Sequence, residues 1–133
     1  MNNNITRHKI RIIALQVLFA LDLNSDNNIN NLYNQLLNNK EIPSYLLKLV
    51  NGVNNNIDEL DYLIQSYLKP GWTIQRLSKI DLIVLRLAFY ELKYENVPFK
   101  VVIDEYLKLI NQFSNSSSKK FINGVLGNFV GNK

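Results

Sequence analysis

The stretch SKIDLIVLRLAFYEL at residues 78–92 decides the fold. It is strongly apolar and too long for an ordinary strand, so it predicts a helix, with Leu85 and Leu87 in the core. Ser78 can cap its start, because a serine side chain accepts a hydrogen bond from a free N–H group of the first helical turn. We expect this helix to end near Tyr94.

The segments on either side of this stretch also have helical spacing. Pro43 suits the first turn of a helix that runs to about Leu68, and KPGW at 69–72 stops it. A single turn at 73–77 then leads into the apolar stretch. Downstream, NVP at 96–98 opens a helix that ends by Phe113, and the polar loop SNSSS at 114–118 precedes a last helix at about 119–130, capped by the final serines of the loop.

The N-terminal part of the chain predicts a helix that is apolar on two faces. One face carries Ile10, Ile13, Ala14, Val17, Leu18 and Leu21, and the other carries His8, Ile12, Leu15 and Phe19. Such a helix lies centrally in its fold or offers one face to a partner. NSDNN at 24–28 ends it, and a short amphipathic segment follows around 32–37. No window alternates as a strand, so we predict an all-α fold of about seven helices, with residues 1–133 forming a single domain.

Composition excludes several classes of function. The 133 residues include no cysteine and one histidine, which rules out disulfides, thiolate metal sites and sites that need two imidazoles. No glycine-rich phosphate loop is present, and the acidic group Asp58, Glu59 and Asp61 is expected to be a solvated helix face. The apolar runs are too short to span a membrane. We therefore expect a non-catalytic cytoplasmic protein that has no metal, no cofactor and no membrane partner.

Charge is distributed unevenly along the chain, whose net charge is +4. Residues 1–20 carry three basic and no acidic residues, residues 21–68 carry two basic and six acidic residues, and residues 69–133 carry ten basic and five acidic residues. Two basic ends around an acidic middle favour an anionic partner, provided that folding brings the ends together.

The basic N-terminal segment TRHKIR contains Arg7, His8, Lys9 and Arg11 at the start of a helix. Cations at that position oppose the helix dipole, and a bound phosphate would offset this cost by meeting both the cations and the free N–H groups. Gln16 and Phe19 follow and could read and stack an unpaired base. The simpler alternatives are a solubilising basic tail and, for Phe19, core packing.

A second candidate site lies at the start of the last helix. Lys119 and Lys120 stand there, followed by Phe121 and Asn123, and Gly124 and Gly127 thin one face of the helix. For the lysines we favour an anion-binding role, and for the apolar residues of this helix we favour core packing.

Four sequence blocks resemble the bacterial transcription antitermination factor family NusB. They are RHKIRIIALQVLFALDL at 7–23, SKIDLIVLRLAFYEL at 78–92, NVPFKVVIDEYLKLINQF at 96–113 and KKFINGVLGNF at 119–129. The blocks occur in the family's order, and only 24–45 has no recognisable counterpart.

The resemblance implies an all-helical fold of two small packed bundles and a non-catalytic role. Members of this family bind the single-stranded boxA element of ribosomal RNA leaders together with NusE, a small ribosomal subunit protein, within the RNA polymerase antitermination complex. By position, the resemblance places RNA contacts at Arg7, His8, Lys9, Arg11, Gln16, Phe19, Lys120, Phe121 and Asn123. Lys119 joins these RNA-binding candidates because of its place beside Lys120. It places the NusE surface on the central helix, at Asp81, Tyr90 and Glu91.

Some positions depart from the family pattern. His8 and Lys9 stand where arginine is usual, which removes part of the bidentate phosphate geometry. Ile12 replaces a glutamate and Gly127 replaces a terminal aspartate, so negative charge is also lost near the basic groups. These changes act on RNA affinity in opposite directions.

Two alternatives remain open at this point. The chain could be a helical protein-interaction adaptor that acts mainly as a homodimer through the second face of the first helix. The same fold also occurs as the N-terminal RNA-binding domain of some RNA methyltransferases, but we expect no cofactor domain within 133 residues.

Overall fold

The computed structural model describes residues 5–131 and is all-helical, as the sequence predicts. The helices are α1 (Arg7–Leu23), α2 (Ile29–Leu37), α3 (Ser44–Asn55), α4 (Ile57–Ser66), α5 (Lys79–Tyr94), α6 (Phe99–Phe113) and α7 (Ser116–Gly131), with one 3₁₀ turn at Ile74–Arg76. No strand occurs in this part of the chain, and none of its helices is long and apolar enough to cross a membrane.

Helix α5 joins two groups of helices. On one side α1 packs against α2, α3 and α5, and on the other side α4, α6 and α7 pack against α5. Nearly every residue of α5 from Asp81 to Glu91 is buried, and the Ser78 Oγ atom accepts a hydrogen bond from the Asp81 N–H at 3.1 Å. The apolar stretch quoted first is therefore the common core of both groups, and its predicted cap and end are confirmed.

Both apolar faces of α1 are covered within one chain. Ile13 and Val17 of the first face and Ile12 and Leu15 of the second are all buried, and only Phe19 of the second face is partly exposed among the apolar residues. The face on which the homodimer alternative depends is thus already occupied by intramolecular packing.

The predicted single helix from Pro43 to about Leu68 is wrong, because the chain breaks it at Asn56. That residue leaves helical geometry at φ −128° and ψ 25°, and it separates α3 from α4. Its Nδ2 atom donates to the Gly52 carbonyl at 2.7 Å, which satisfies an acceptor at the end of α3. Asparagine side chains compete in this way for backbone groups, and three of them occur in succession at 54–56.

The last helix begins earlier than predicted, and the serines do not cap it. Helix α7 starts at Ser116, and Asn115 is the capping residue. The Asn115 Oδ1 atom accepts from the Ser118 N–H at 3.0 Å, and the Asn115 carbonyl accepts from the Lys119 N–H at 3.1 Å.

Replacing Asn115 with alanine should lower the free energy of unfolding by about 1 kcal/mol, because it removes the side-chain acceptor of the cap. Replacing the adjacent exposed Ser116 with alanine should change it by less than about 0.5 kcal/mol. Urea denaturation followed by circular dichroism at 222 nm compares the two variants. An equal loss in both would contradict the assignment of the cap to Asn115.

Candidate nucleic-acid interface

The start of α1 presents two of its basic residues to solvent. Arg7 and Lys9 are exposed, and Thr6 caps the helix by accepting a hydrogen bond from the Lys9 N–H at 3.1 Å. The Arg7 guanidinium lies 3.6 Å from the centre of the Tyr45 ring, at the start of α3. This cation–π contact holds the arginine against the surface with its outer face open.

Arg11 does not belong to this exposed group, contrary to the sequence-based expectation. Its side chain is buried, and its Nε and Nη2 atoms each donate to a Glu91 carboxylate oxygen at 2.8 Å. Burial would lower the pKa of Arg11, but the Glu91 carboxylate outweighs that effect and the pKa lies above its ordinary value. A guanidinium paired in this way inside the core is not available to a phosphate.

Glu91 is the acceptor at the centre of this buried cluster, so it does not face a partner protein as expected. It is 0% exposed, and besides Arg11 it accepts hydrogen bonds from the hydroxyls of Tyr45 and Tyr106. Burial and the adjacent carboxylate raise the pKa of both hydroxyls, which keeps them protonated as donors. The cluster ties α1, α3, α5 and α6 together through a single carboxylate.

The other two residues expected to face NusE are also buried. Tyr90 is 7% exposed, and its hydroxyl donates to Glu95 at 2.8 Å. Asp81 is 8% exposed, and its Oδ2 atom accepts from the Ser118 hydroxyl at 3.1 Å, while its Oδ1 atom has no partner within the described residues. Burial raises the pKa of Asp81. Both side chains thus leave only a small part of their surface open on α5.

Three further predicted contacts on α1 lie partly exposed beside the basic residues. The His8 Nδ1 atom is 3.2 Å from the Glu105 Oε1 atom of α6, so this imidazole is anchored between helices. Gln16 and Phe19 are half-buried farther along α1, and Phe19 packs against the core. Phe19 is only partly buried, so part of its surface remains accessible to a ligand.

The first two turns of α7 carry the second exposed group. Lys120 and Asn123 are exposed, and Lys119 and Phe121 are half-buried. The Phe121 ring packs against Trp72, with 6.1 Å between ring centres.

Sequence reasoning treated KPGW only as a helix stop and missed Trp72. An exposed tryptophan close to Lys69 and Arg76 is a signal for nucleic-acid binding that could have identified it.

The two exposed groups lie at opposite ends of α5 rather than converging. Helix α1 runs antiparallel to α5, since Arg11 pairs with Glu91 near the end of α5 and Asp22 pairs with Lys79 at its start, at 3.1 Å. Helix α7 begins beside Asp81. The ten residues from Asp81 to Glu91 correspond to about 15 Å along a helix axis. The basic groups are therefore the two ends of an extended surface along which α1 runs.

The acidic residues form no metal centre. Among residues 5–131, no three side chains of the histidine, cysteine, aspartate and glutamate types are grouped closely enough to hold a metal ion.

Comparison with known proteins gives consistent matches across the chain. Residues 8–131 match the NusB family. The sequence is 48% identical to the transcription antitermination protein NusB of Lactiplantibacillus plantarum over 98% of both chains, and 50% identical to that of Limosilactobacillus reuteri over 95% of this chain and 94% of the relative.

Solved structures agree with these matches. The structure of T. maritima NusB superposes with a TM-score of 0.82 at 30% identity, covering 92% of this chain and 89% of that one. A crystal structure of the antitermination factors NusB and NusE in complex with dsRNA gives a TM-score of 0.81 at 26% identity, covering 96% and 97%. Sequence and fold together show that this chain belongs to the NusB family of non-catalytic transcription antitermination proteins.

Proposed function

We propose that this chain binds boxA-type single-stranded RNA of ribosomal RNA leaders together with NusE, and that it acts in the cytoplasm as part of the RNA polymerase antitermination complex. The family membership supports the antitermination role, and the solved complex of a related NusB with NusE and dsRNA supports both kinds of partner.

The observation that carries the RNA-binding proposal is the placement of exposed cations near the starts of two helices. Arg7 and Lys9 stand in the first turn of α1, and Lys120 stands in the second turn of α7. At α1 the free N–H groups and the positive end of the helix dipole add to the attraction for phosphate. Gln16 and Phe19 lie along α1 beyond the first group and offer an amide and a ring to bases.

In this proposal, NusE binds the part of α5 that remains exposed, together with the surface of the helices that pack beside it. Glu91 contributes only through the buried cluster, because none of its surface is exposed. Asp81 and Tyr90 retain small exposed areas and remain the predicted contacts.

Removing the two exposed cations at the start of α1 tests the RNA surface. With NusE present, Arg7→Ala combined with Lys9→Ala should weaken binding of a boxA-like RNA and of a scrambled strand alike. The slope of log K against log salt should become shallower by about 0.7 for each lost phosphate contact on a single strand. Fluorescence anisotropy with labelled RNA measures both quantities.

A control for the removal of positive charge elsewhere is Lys40→Ala, which removes one exposed lysine from the loop that follows α2. It should leave affinity and salt slope unchanged. If native protein with NusE bound the boxA-like RNA no better than the scrambled strand, the specific function proposed above would be wrong.

A further inference from the structure

Trp72 is the only tryptophan of the chain and is 41% exposed, which is unusual for so large an apolar side chain. Its ring is tilted by 38° against that of Phe121. The Arg76 guanidinium lies 4.9 Å from the centre of the Trp72 ring. The exposed Trp72 ring and the half-buried Phe121 ring thus form an aromatic pair, with a cation against the tryptophan.

A pocket of about 390 Å³ opens beside this ring pair. Trp72 and Phe121 form part of its wall together with Tyr67, and Lys69 and Lys120 supply two positive charges. None of the residues lining it is acidic, so no carboxylate of the lining neutralises the lysines. Gly124 also lines the pocket, and a Cβ atom built at this glycine meets no atom within 4 Å.

The loop that carries Trp72 is held in place by α4. The Gln65 side chain donates from Nε2 to the Trp72 carbonyl at 2.8 Å and accepts from the Ile74 N–H at 3.1 Å. Gly71 adopts a φ of +89°, a conformation that glycine reaches without strain. A ring held in this way loses little conformational entropy when a ligand stacks on it.

We propose that this pocket binds one nucleotide of the RNA strand beyond those held at the start of α7. The base stacks on the Trp72–Phe121 ring pair, and the adjoining phosphate lies between Lys69 and Lys120. Aromatic faces combined with unneutralised cations are the means by which proteins hold single-stranded RNA. The pocket shares Lys120 and Phe121 with the RNA surface proposed above, so this inference rests on the proposed function and extends its surface to the loop at 69–76.

Two glycines of α7 provide a matched pair of variants. Gly124 lines the pocket, so Gly124→Leu places a leucine side chain in it. Gly127 does not line the pocket, and a Cβ atom built at either glycine meets no atom within 4 Å. Both changes favour helix formation, so both variants should fold. With NusE present, Gly124→Leu should weaken RNA binding about tenfold, the effect of losing one stacked base, and Gly127→Leu should not.

Trp72 emission supplies an independent readout, because this chain contains no other tryptophan. The RNA used is the boxA-like strand extended by four uridines at each end, and it should quench the emission of native protein and of Gly127→Leu but not of Gly124→Leu. Two outcomes would overturn the pocket proposal and leave the proposed function intact. One is tight binding of this RNA to native protein without quenching of Trp72 emission. The other is equal RNA affinity of the Gly124→Leu and Gly127→Leu variants. Loss of NusE binding in Gly124→Leu with RNA affinity unchanged would identify a protein-binding pocket and would equally overturn it. Failure of native protein to bind any RNA would overturn both proposals.

Discussion

Replacing Arg11 with alanine should lower the free energy of unfolding by about 3–5 kcal/mol, the usual cost of removing one partner of a buried ion pair. The change leaves the Glu91 carboxylate fully buried with only the Tyr45 and Tyr106 hydroxyls as donors. A domain of this size has a total stability of about 5–15 kcal/mol, so the variant should unfold at much lower urea concentrations. The reduced stability should appear before RNA or NusE is added.

The pair Arg86–Asp61 offers a matched control for this prediction. The Arg86 Nε and Nη2 atoms donate to the two Asp61 carboxylate oxygens at 2.8 Å, as in the Arg11–Glu91 pair. The Arg86 and Asp61 side chains, however, are 13% and 24% exposed. Arg86→Ala should therefore cost less, because solvent can replace the lost partner. If Arg11→Ala were no more destabilising than Arg86→Ala, burial would not explain how much the Arg11–Glu91 pair contributes to the free energy of unfolding.

A double-mutant cycle separates the ion pair from the loss of packing. Glu91→Gln removes the negative charge and keeps one side-chain oxygen as acceptor for one tyrosine hydroxyl, while an amide NH2 group replaces the oxygen that accepts from the other. Arg11→Ala should then cost less in the Glu91→Gln background than in the native protein, and the difference is the coupling energy of the pair. Additive effects would show that the guanidinium stabilises the core only by filling space.

Sequence reasoning distinguished helix from loop well because the signals are local. The cap at Ser78, the stop at KPGW and the end near Phe113 each depend on residues within one turn of the boundary. The break at Asn56 also has a local cause, because asparagine side chains compete with the helix for backbone hydrogen-bonding groups. The helical apolar pattern continues on both sides of Asn56, so the sequence pattern alone predicted one uninterrupted helix.

The candidate site was less predictable, because burial depends on distant residues. Arg7 and Arg11 are one helical turn apart in the same basic segment, yet Arg11 pairs with a carboxylate 80 residues away while Arg7 stays exposed. One signal could have indicated this outcome. Glu91 ends an otherwise apolar run in α5, and an acidic residue in such a run requires a buried partner of opposite charge or a set of donors. The placement of the two basic groups at opposite ends of α5 depends on the packing of three helices, which local sequence signals do not encode.

Replacing Gly52 with alanine should lower the free energy of unfolding by about 1–3 kcal/mol through overpacking. A Cβ atom at this position in α3 would lie 2.3 Å from the Cε1 and Cζ atoms of the Tyr90 ring. That ring has little room to move, since it is buried, its hydroxyl donates to Glu95, and it stacks on Tyr94 with 5.3 Å between ring centres. The added methyl group must therefore displace either α3 or the surface of α5 that we assign to NusE.

Two comparisons isolate the contact between Gly52 and Tyr90. Gly124→Ala makes the same change in α7, where no atom lies within 4 Å, and should raise stability by up to about 1 kcal/mol because alanine favours helix. In a Tyr90→Leu background, Gly52→Ala should lose most of its cost, since the clashing ring atoms are gone. If Gly52→Ala were as stable as native protein, the Tyr90 ring would have to yield easily. The contacts of Tyr90 with Glu95 and Tyr94 would then not hold this ring in its buried position.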